Sequence, residues 1–187
     1  MVYISKGILL WKPARAYVPV SHCGALHKLA GDKSRLWLDG QHAPGHTQNA
    51  EQDAALEALA ALGIVECGDN AGDAALFRLL INCAICPARA KPRIAFVNMQ
   101  ERRLWRWIRR AGLRLTMAEL TLLTERGIKP SPGLLGEANR QELTELIYTC
   151  ETIGDGILET LMERSPARDG TVQAVLGLLQ KKKIYLI

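Results

Sequence analysis

Aromatic residues are scarce in this chain: two Phe, four Tyr and four Trp make up 5% of its 187 residues. Its core must therefore rest on aliphatic packing, and any place where rings cluster needs a reason. Long apolar runs are missing too. Stretches such as 54–65 are broken by charge or are too short for a bilayer, which takes about 20 residues. The N-terminus lacks the basic, apolar and cleavage-site order of a signal peptide. The five cysteines (Cys23, Cys67, Cys83, Cys86, Cys150) are odd in number, which disfavours a disulfide framework. Only one CxxC occurs, Cys83-Ala-Ile-Cys86, so the four-ligand pattern of a structural zinc site is incomplete. Gly154-Asp155-Gly156 has neither the length nor the lysine of a phosphate-binding loop. These absences predict a soluble cytoplasmic protein that is not an enzyme and needs no metal or cofactor.

What is present is an uneven charge. The net charge is +5, yet residues 1–88 hold seven basic against eight acidic side chains. Residues 89–114 hold nine against one, residues 115–180 five against ten, and Lys181, Lys182 and Lys183 close the account. The positive excess is thus confined to one central segment and a tail, a pattern that attracts polyanions or an acidic surface.

That central segment is the most informative stretch of the sequence. In residues 101–114, Leu104, Trp107, Ile108 and Ala111 recur at helical spacing, while Arg102, Arg103, Arg106, Arg109 and Arg110 occupy the other side. Trp105 falls at the seam, where an indole can present an edge outward, and Gly112 is placed to end the helix. Two uses of such a face compete. Arginines beside tryptophans suit phosphates and bases; equally, they can pair with the acidic helices expected over 137–163, in which case Trp107 anchors two halves of the protein.

In chain order, 2–11 and 14–20 read as two strands, 23–29 and 33–38 as short helices, and 39–49 as a loop. Residues 51–62 read as a helix with acids in its first turns and Gly63 at its end. Residues 64–67 and 74–83 read as two strands of a hairpin around 68–73. Pro87 to Pro92 is a short basic linker, and 94–99 reads as a strand or an approach to the central helix. Thr116-Met117-Ala118-Glu119 is a capping box opening a helix over 117–126. Helices over 141–150, 157–164 and from Asp169 or Thr171 to Gln180 follow, then a strand over 184–187.

The segment Ala55-Leu56-Glu57-Ala58-Leu59-Ala60-Ala61-Leu62-Gly63-Ile64-Val65-Glu66, a helix running through glycine into a strand, resembles the entry to the wing of a winged-helix domain. The resemblance covers roughly residues 20–85, and 115–187 is similar in its order of helices ahead of a basic turn and a strand. It implies a DNA-associated regulatory role of the winged helix-turn-helix kind, whose last helix often enters the major groove. The departure is chemical: the helix over 51–62 carries Glu51, Asp53 and Glu57 and no Lys or Arg, so base readout from it is disfavoured. A strand pair ahead of such a domain also resembles precursor-peptide recognition domains, which implies binding of a peptide as an added strand.

Smaller constellations add less. His42-Ala-Pro-Gly-His46, with His22, Cys23 and His27, offers metal-type or thiol–imidazole spacing, for which loop histidines and a half-buried cysteine are the simpler account. The expected architecture is mainly α with small β-hairpins, an α+β class. It comprises a winged-helix-like unit over 1–90, a basic linker and central helix over 91–114, and a helical winged-helix-like unit over 115–187. The expected nucleic-acid-binding set is Arg102, Arg103, Trp105, Arg106, Arg109, Arg110, Lys181, Lys182 and Lys183. The alternative is a protein- or peptide-binding scaffold that does not touch DNA. A homo-oligomer is compatible with either, and no membrane partner is expected.

Overall fold

The computed structural model describes residues 1–10, 16–69, 72–88, 99–110, 115–131, 134 and 140–187, with only the backbone of Arg110. Among these residues the chain is α+β, with eight helices and three small antiparallel sheets of three strands each. No helix among them is long and apolar enough to cross a membrane.

The chain opens with β1 (Val2–Ser5) and, after a bend at Lys6 and Gly7, continues as β2 (Ile8–Leu9). β2 pairs with β3 (Val18–His22), which pairs with β4 (Ala25–Leu29). Then come α1 (Gly31–Asp39), β5 (Gly45–His46), α2 (Ala50–Ala61) and β6 (Val65–Gly68). β1 lies between β5 and β6 in their sheet. Its alternation assigns one face to each of two cores. Val2 and Ile4 join the large C-terminal core, while Tyr3 joins the smaller one with Val20, Trp37, Leu56, Leu59 and Ile64. The Trp37 indole N–H donates to the Lys6 carbonyl at 2.9 Å, fixing the smaller core to the bend.

The second part contains α3 (Asp73–Ile81), β7 (Ala84–Pro87), α4 (Met99–Arg110), β8 (Leu115–Thr116), α5 (Met117–Glu125), α6 (Arg140–Ile147), α7 (Ile157–Glu163), α8 (Arg168–Gln180) and β9 (Ile184–Leu186). β7 pairs with both β8 and β9. α8 is buried on nearly all sides, through Thr171, Val172, Ala174, Val175, Leu178 and Leu179, and packs on α3, α4 and α5. The expected capping box is present at α5: Thr116 Oγ1 accepts from the Glu119 amide at 3.2 Å, and Glu119 Oε2 accepts from the Thr116 amide at 2.6 Å. The backbone N–H of Gly7, in the bend between β1 and β2, donates to the Leu186 carbonyl of β9 at 2.7 Å, so the bend is tied to that strand.

The strand expected over 2–11 is broken into β1 and β2, β5 lies in the expected loop over 39–49, β7 is unexpected, and two elements are of the opposite type to the sequence reading. Residues 25–29 form a strand and not a helix. Ala-Leu-His-Lys-Leu favours a helix by local propensity, but Cys23 (φ 47°) and Gly24 (φ 85°) form a tight turn with two left-handed residues, which folds the segment back on β3. Residues 73–81 form a helix and not the second strand of a hairpin. The strand that β6 needs is supplied by β1 from the start of the chain, with Val2 opposite Gly68 and Ser5 opposite Val65. This leaves Leu76, Phe77, Leu79 and Leu80 to bury a helical face against α8. The readings over 94–98 and at Gly112 lie outside the described residues.

Candidate functional site

α4 positions the site because its two sides face opposite media. Leu104, Trp107 and Ile108 are fully buried against α8 and β7. Trp105 is buried as well, with 6% exposure, so it offers no outward edge: the core claims the seam position. On the opposite side Arg102, Arg106 and Arg109 are exposed, and Arg103 is half-buried. Among the described residues, no carboxylate stands within ion-pair distance of Arg102, Arg106 or Arg109. Among the described residues the acidic helices of the second part make no ion pair with this face: Glu163 pairs with Arg78, and Glu119 accepts the Tyr148 hydroxyl at 2.7 Å.

Arg103 has a different task. Its Nε and Nη2 both donate to the Ile128 carbonyl, at 3.2 and 2.5 Å, which holds the turn after α5 alongside α4. Between them runs a groove of ≈ 670 Å³, lined by Arg102, Arg103 and Arg106 on one wall and by Thr124, Lys129 and Pro130 on the other, with Met99 at one end. Met99 is 76% exposed, a large apolar side chain standing beside cations. The arrangement is a concave, cationic, partly apolar slot. It suits a ligand with regularly placed anionic groups on an organic framework.

The lysine tail does not extend the slot uniformly. Lys181 Nζ lies 2.5 Å from Glu101 Oε2, a pair in which both side chains are largely covered. Lys183 is 1% exposed, and its ammonium is held below its ordinary pKa by burial and by Lys181, with Glu101 opposing. Of the three, Lys182 is exposed, at the left-handed turn after α8 (φ 55°). The Arg110 side chain lies outside the described residues. The structure thus brings together Arg102, Arg103 and Arg106, with Arg109 farther along the same helix, and adds Lys129. No sequence signal marks Lys129: it follows Gly127-Ile128 in an ordinary loop, and only the Arg103–Ile128 bond brings it to α4.

The remaining candidates fall elsewhere. Cys83 and Cys86 are buried in the core. Burial pushes the Cys83 thiol up to about 12, and its Sγ contacts the Leu79 carbonyl oxygen at 3.4 Å. Cys23 is exposed at the β3–β4 turn with its Sγ 3.6 Å from His22 Nε2. Among the described residues no three His, Cys, Asp or Glu side chains are grouped as metal ligands. His42 faces a small cavity of ≈ 220 Å³ beside Gln173 and Gln180 of α8, and its Nδ1 is buried without a hydrogen-bond partner.

A second surface lies on the β2–β3–β4 sheet. β4 is an edge strand, and on the face away from the small core Ile8, Leu10 and Leu26 are 38%, 45% and 52% exposed. Comparison of the chain with protein-family models, with curated proteins and with solved structures finds no match in any of the three.

Proposed function

We propose that this chain is a non-enzymatic, DNA-associated regulatory protein with two winged-helix-like halves, which grips the phosphate backbone through the α4 groove. The observation that carries the reading is the pair Arg102 and Arg106, exposed and, among the described residues, without carboxylate partners, lining a slot that also holds Lys129, with Arg109 exposed farther along the same helix. Uncompensated arginines are costly neighbours for one another and are stabilised by an anion. α2 cannot share the task, since its charged side chains are Glu51, Asp53 and Glu57. The winged-helix part of the reading draws on the order α1, β5, α2, β6, in which the two short strands flank β1 as a replacement for the returning strand of a wing.

The test is fluorescence anisotropy of the full chain with labelled DNA across a salt series. The double variant Arg102→Glu with Arg106→Glu is expected to weaken binding by at least about tenfold at low salt while leaving circular dichroism unchanged, because two phosphate contacts become repulsions. Unchanged affinity in the folded variant would remove the reading.

A second reading is favoured by one specific observation, the open β4 edge beside an exposed apolar face. An extended peptide adding to β4 would take main-chain hydrogen bonds from the edge and place alternate side chains beside Leu26. Lys28→Pro, which removes a β4 donor, should abolish such binding and leave DNA affinity intact. Amide shifts confined to α4 on titration with every peptide tried would exclude it.

A further inference from the structure

We infer that the outward side of α7, with the loop in front of it, is a docking surface for a cationic amphipathic helix of a partner protein. α7 has apolar side chains on two sides, and the core covers one of them. Leu158 and Met162 are buried in the large core, where α7 packs on α3 and α5. Ile157, Thr160, Leu161 and Arg164, spaced i, i+3, i+4 and i+7, are exposed on the other side, with Ile157 at 44% and Leu161 at 46%. A surface helix turns polar side chains to water, yet here two branched aliphatic ones stand there one turn apart. Ile153, in the loop just before α7, is 71% exposed. Between them Gly154 makes room for the Ile157 side chain, since a Cβ at that position would collide with Ile157 Cδ1. Single exposed apolar residues need no explanation, but three within residues 153–161, two of them on one helical stripe, mark an interaction surface.

The charge around the stripe selects the partner. Residues 140–164 hold six acidic side chains against two arginines. Glu151 and Asp155 are exposed on either side of Ile153 in the chain, and among the described residues neither forms an ion pair; Glu163 is taken by Arg78. Such a border repels phosphates and anionic headgroups, and it repels the same border on a second copy of the chain. Lysine or arginine beside leucine complements it. Arg164 stands at the far end of the outward side, so the partner's cations belong over Glu151 and Asp155. The seven residues of α7 rise about 10.5 Å, a length that two turns of a docked helix cover with anchors at i and i+4. An interface of that size belongs to the weak, transient class.

The experiment titrates the full chain into a labelled peptide of about 14 residues, leucines and lysines at helical spacing, and into a control with serine in place of every leucine, following anisotropy from low salt upward. The leucine peptide should bind at least about tenfold tighter than the control, with an affinity that falls as salt rises. Ile153→Ser and Leu161→Gln, both at exposed positions, should each weaken it by at least about threefold. Gly154→Ala, which displaces Ile157 without changing charge, should weaken it too. Glu151→Gln with Asp155→Asn should lower the affinity and flatten its salt dependence. Circular dichroism should match the wild type throughout. Leucine-peptide affinity unmoved by Ile153→Ser and Leu161→Gln, or no binding at millimolar protein, would overturn the proposal. Equal binding of the two peptides would leave charge alone at work and overturn the apolar surface. A dimer of the free chain in sedimentation equilibrium that Leu161→Gln disperses would overturn the partner helix in favour of a second copy.

Discussion

Replacing Gly177 by alanine sets two effects of opposite sign against each other. In a helix interior the change normally stabilises by about 1 kcal/mol, because glycine loses more backbone freedom than alanine. At this site a Cβ would stand 2.4 Å from Glu101 Oε1 and 3.3 Å from its Cδ. The carboxylate must leave its place, and in doing so it leaves Lys181. Their side chains are only 5% and 16% exposed. Breaking a buried pair by removing one partner costs about 3–5 kcal/mol; because Lys181 keeps some access to water, a figure of about 2–3 kcal/mol is the better measure here. The net effect is a loss of about 1–2 kcal/mol, or roughly 3–6 °C in Tm for a chain of this size. Thermal unfolding followed by circular dichroism measures it. Two controls isolate the cause. Gly170→Ala meets the uncharged Gln100 amide at 3.1 Å, which can swing aside, so it should be neutral or stabilising. In a Glu101→Ala background no carboxylate is displaced, so Gly177→Ala should raise the Tm. A higher Tm for Gly177→Ala in the wild-type background would refute the reasoning, since the Glu101–Lys181 pair would then not be lodged against Gly177.

Burial of thiols and imidazoles has two further measurable outcomes. A thiol reagent applied to the native protein should modify Cys23 and Cys150 quickly and leave Cys83 and Cys86 untouched until denaturant is added, because the latter pair is buried and Cys83 holds its proton to about pH 12; rapid titration of all five in native buffer would contradict the packing of β7. Burial holds both His22 and His42 below 6.5, aided by Lys6 and His27 at the first and by Lys182 at the second. The unfolded chain therefore binds protons that the folded one refuses as pH drops below about 6.5, so stability is full above that value and falls beneath it. His42→Gln should flatten part of that fall in a Tm series from pH 7.5 to 5; an identical profile would show that His42 is not the group responsible.

The sequence carried α4 clearly because a strong 3.6-residue period places arginine and leucine on opposite sides whatever the rest of the chain does. It was equally plain for α2 and for the α5 capping box, where the signal is local. What it hid was decided at a distance. Nothing near residues 25–29 overrides their helical propensity except two residues with positive φ; nothing near 73–81 reveals that β6 has already been paired by β1. Trp105 is the same lesson at the site. On a helical wheel it sits at a boundary, and only the arrangement of α8 and β7 decides that the core takes it. Lys181 and Lys183 read as part of a solvated basic tail until Glu101, eighty residues earlier, is seen lying against the first of them.

The two-faced strand at the start of the chain has a consequence for the order of events during synthesis. Of the described elements β1 is made before the others, yet it acquires β6 only after residue 68 has emerged, and the cover over Val2 and Ile4 is finished only when α3 and the helices beyond it are made. Tyr3 can be enclosed earlier, with α1 and α2. A single strand thereby belongs to an early-closing compartment on one side and a late-closing one on the other, and the second half of the protein is built upon a wall that the first half has already set in place.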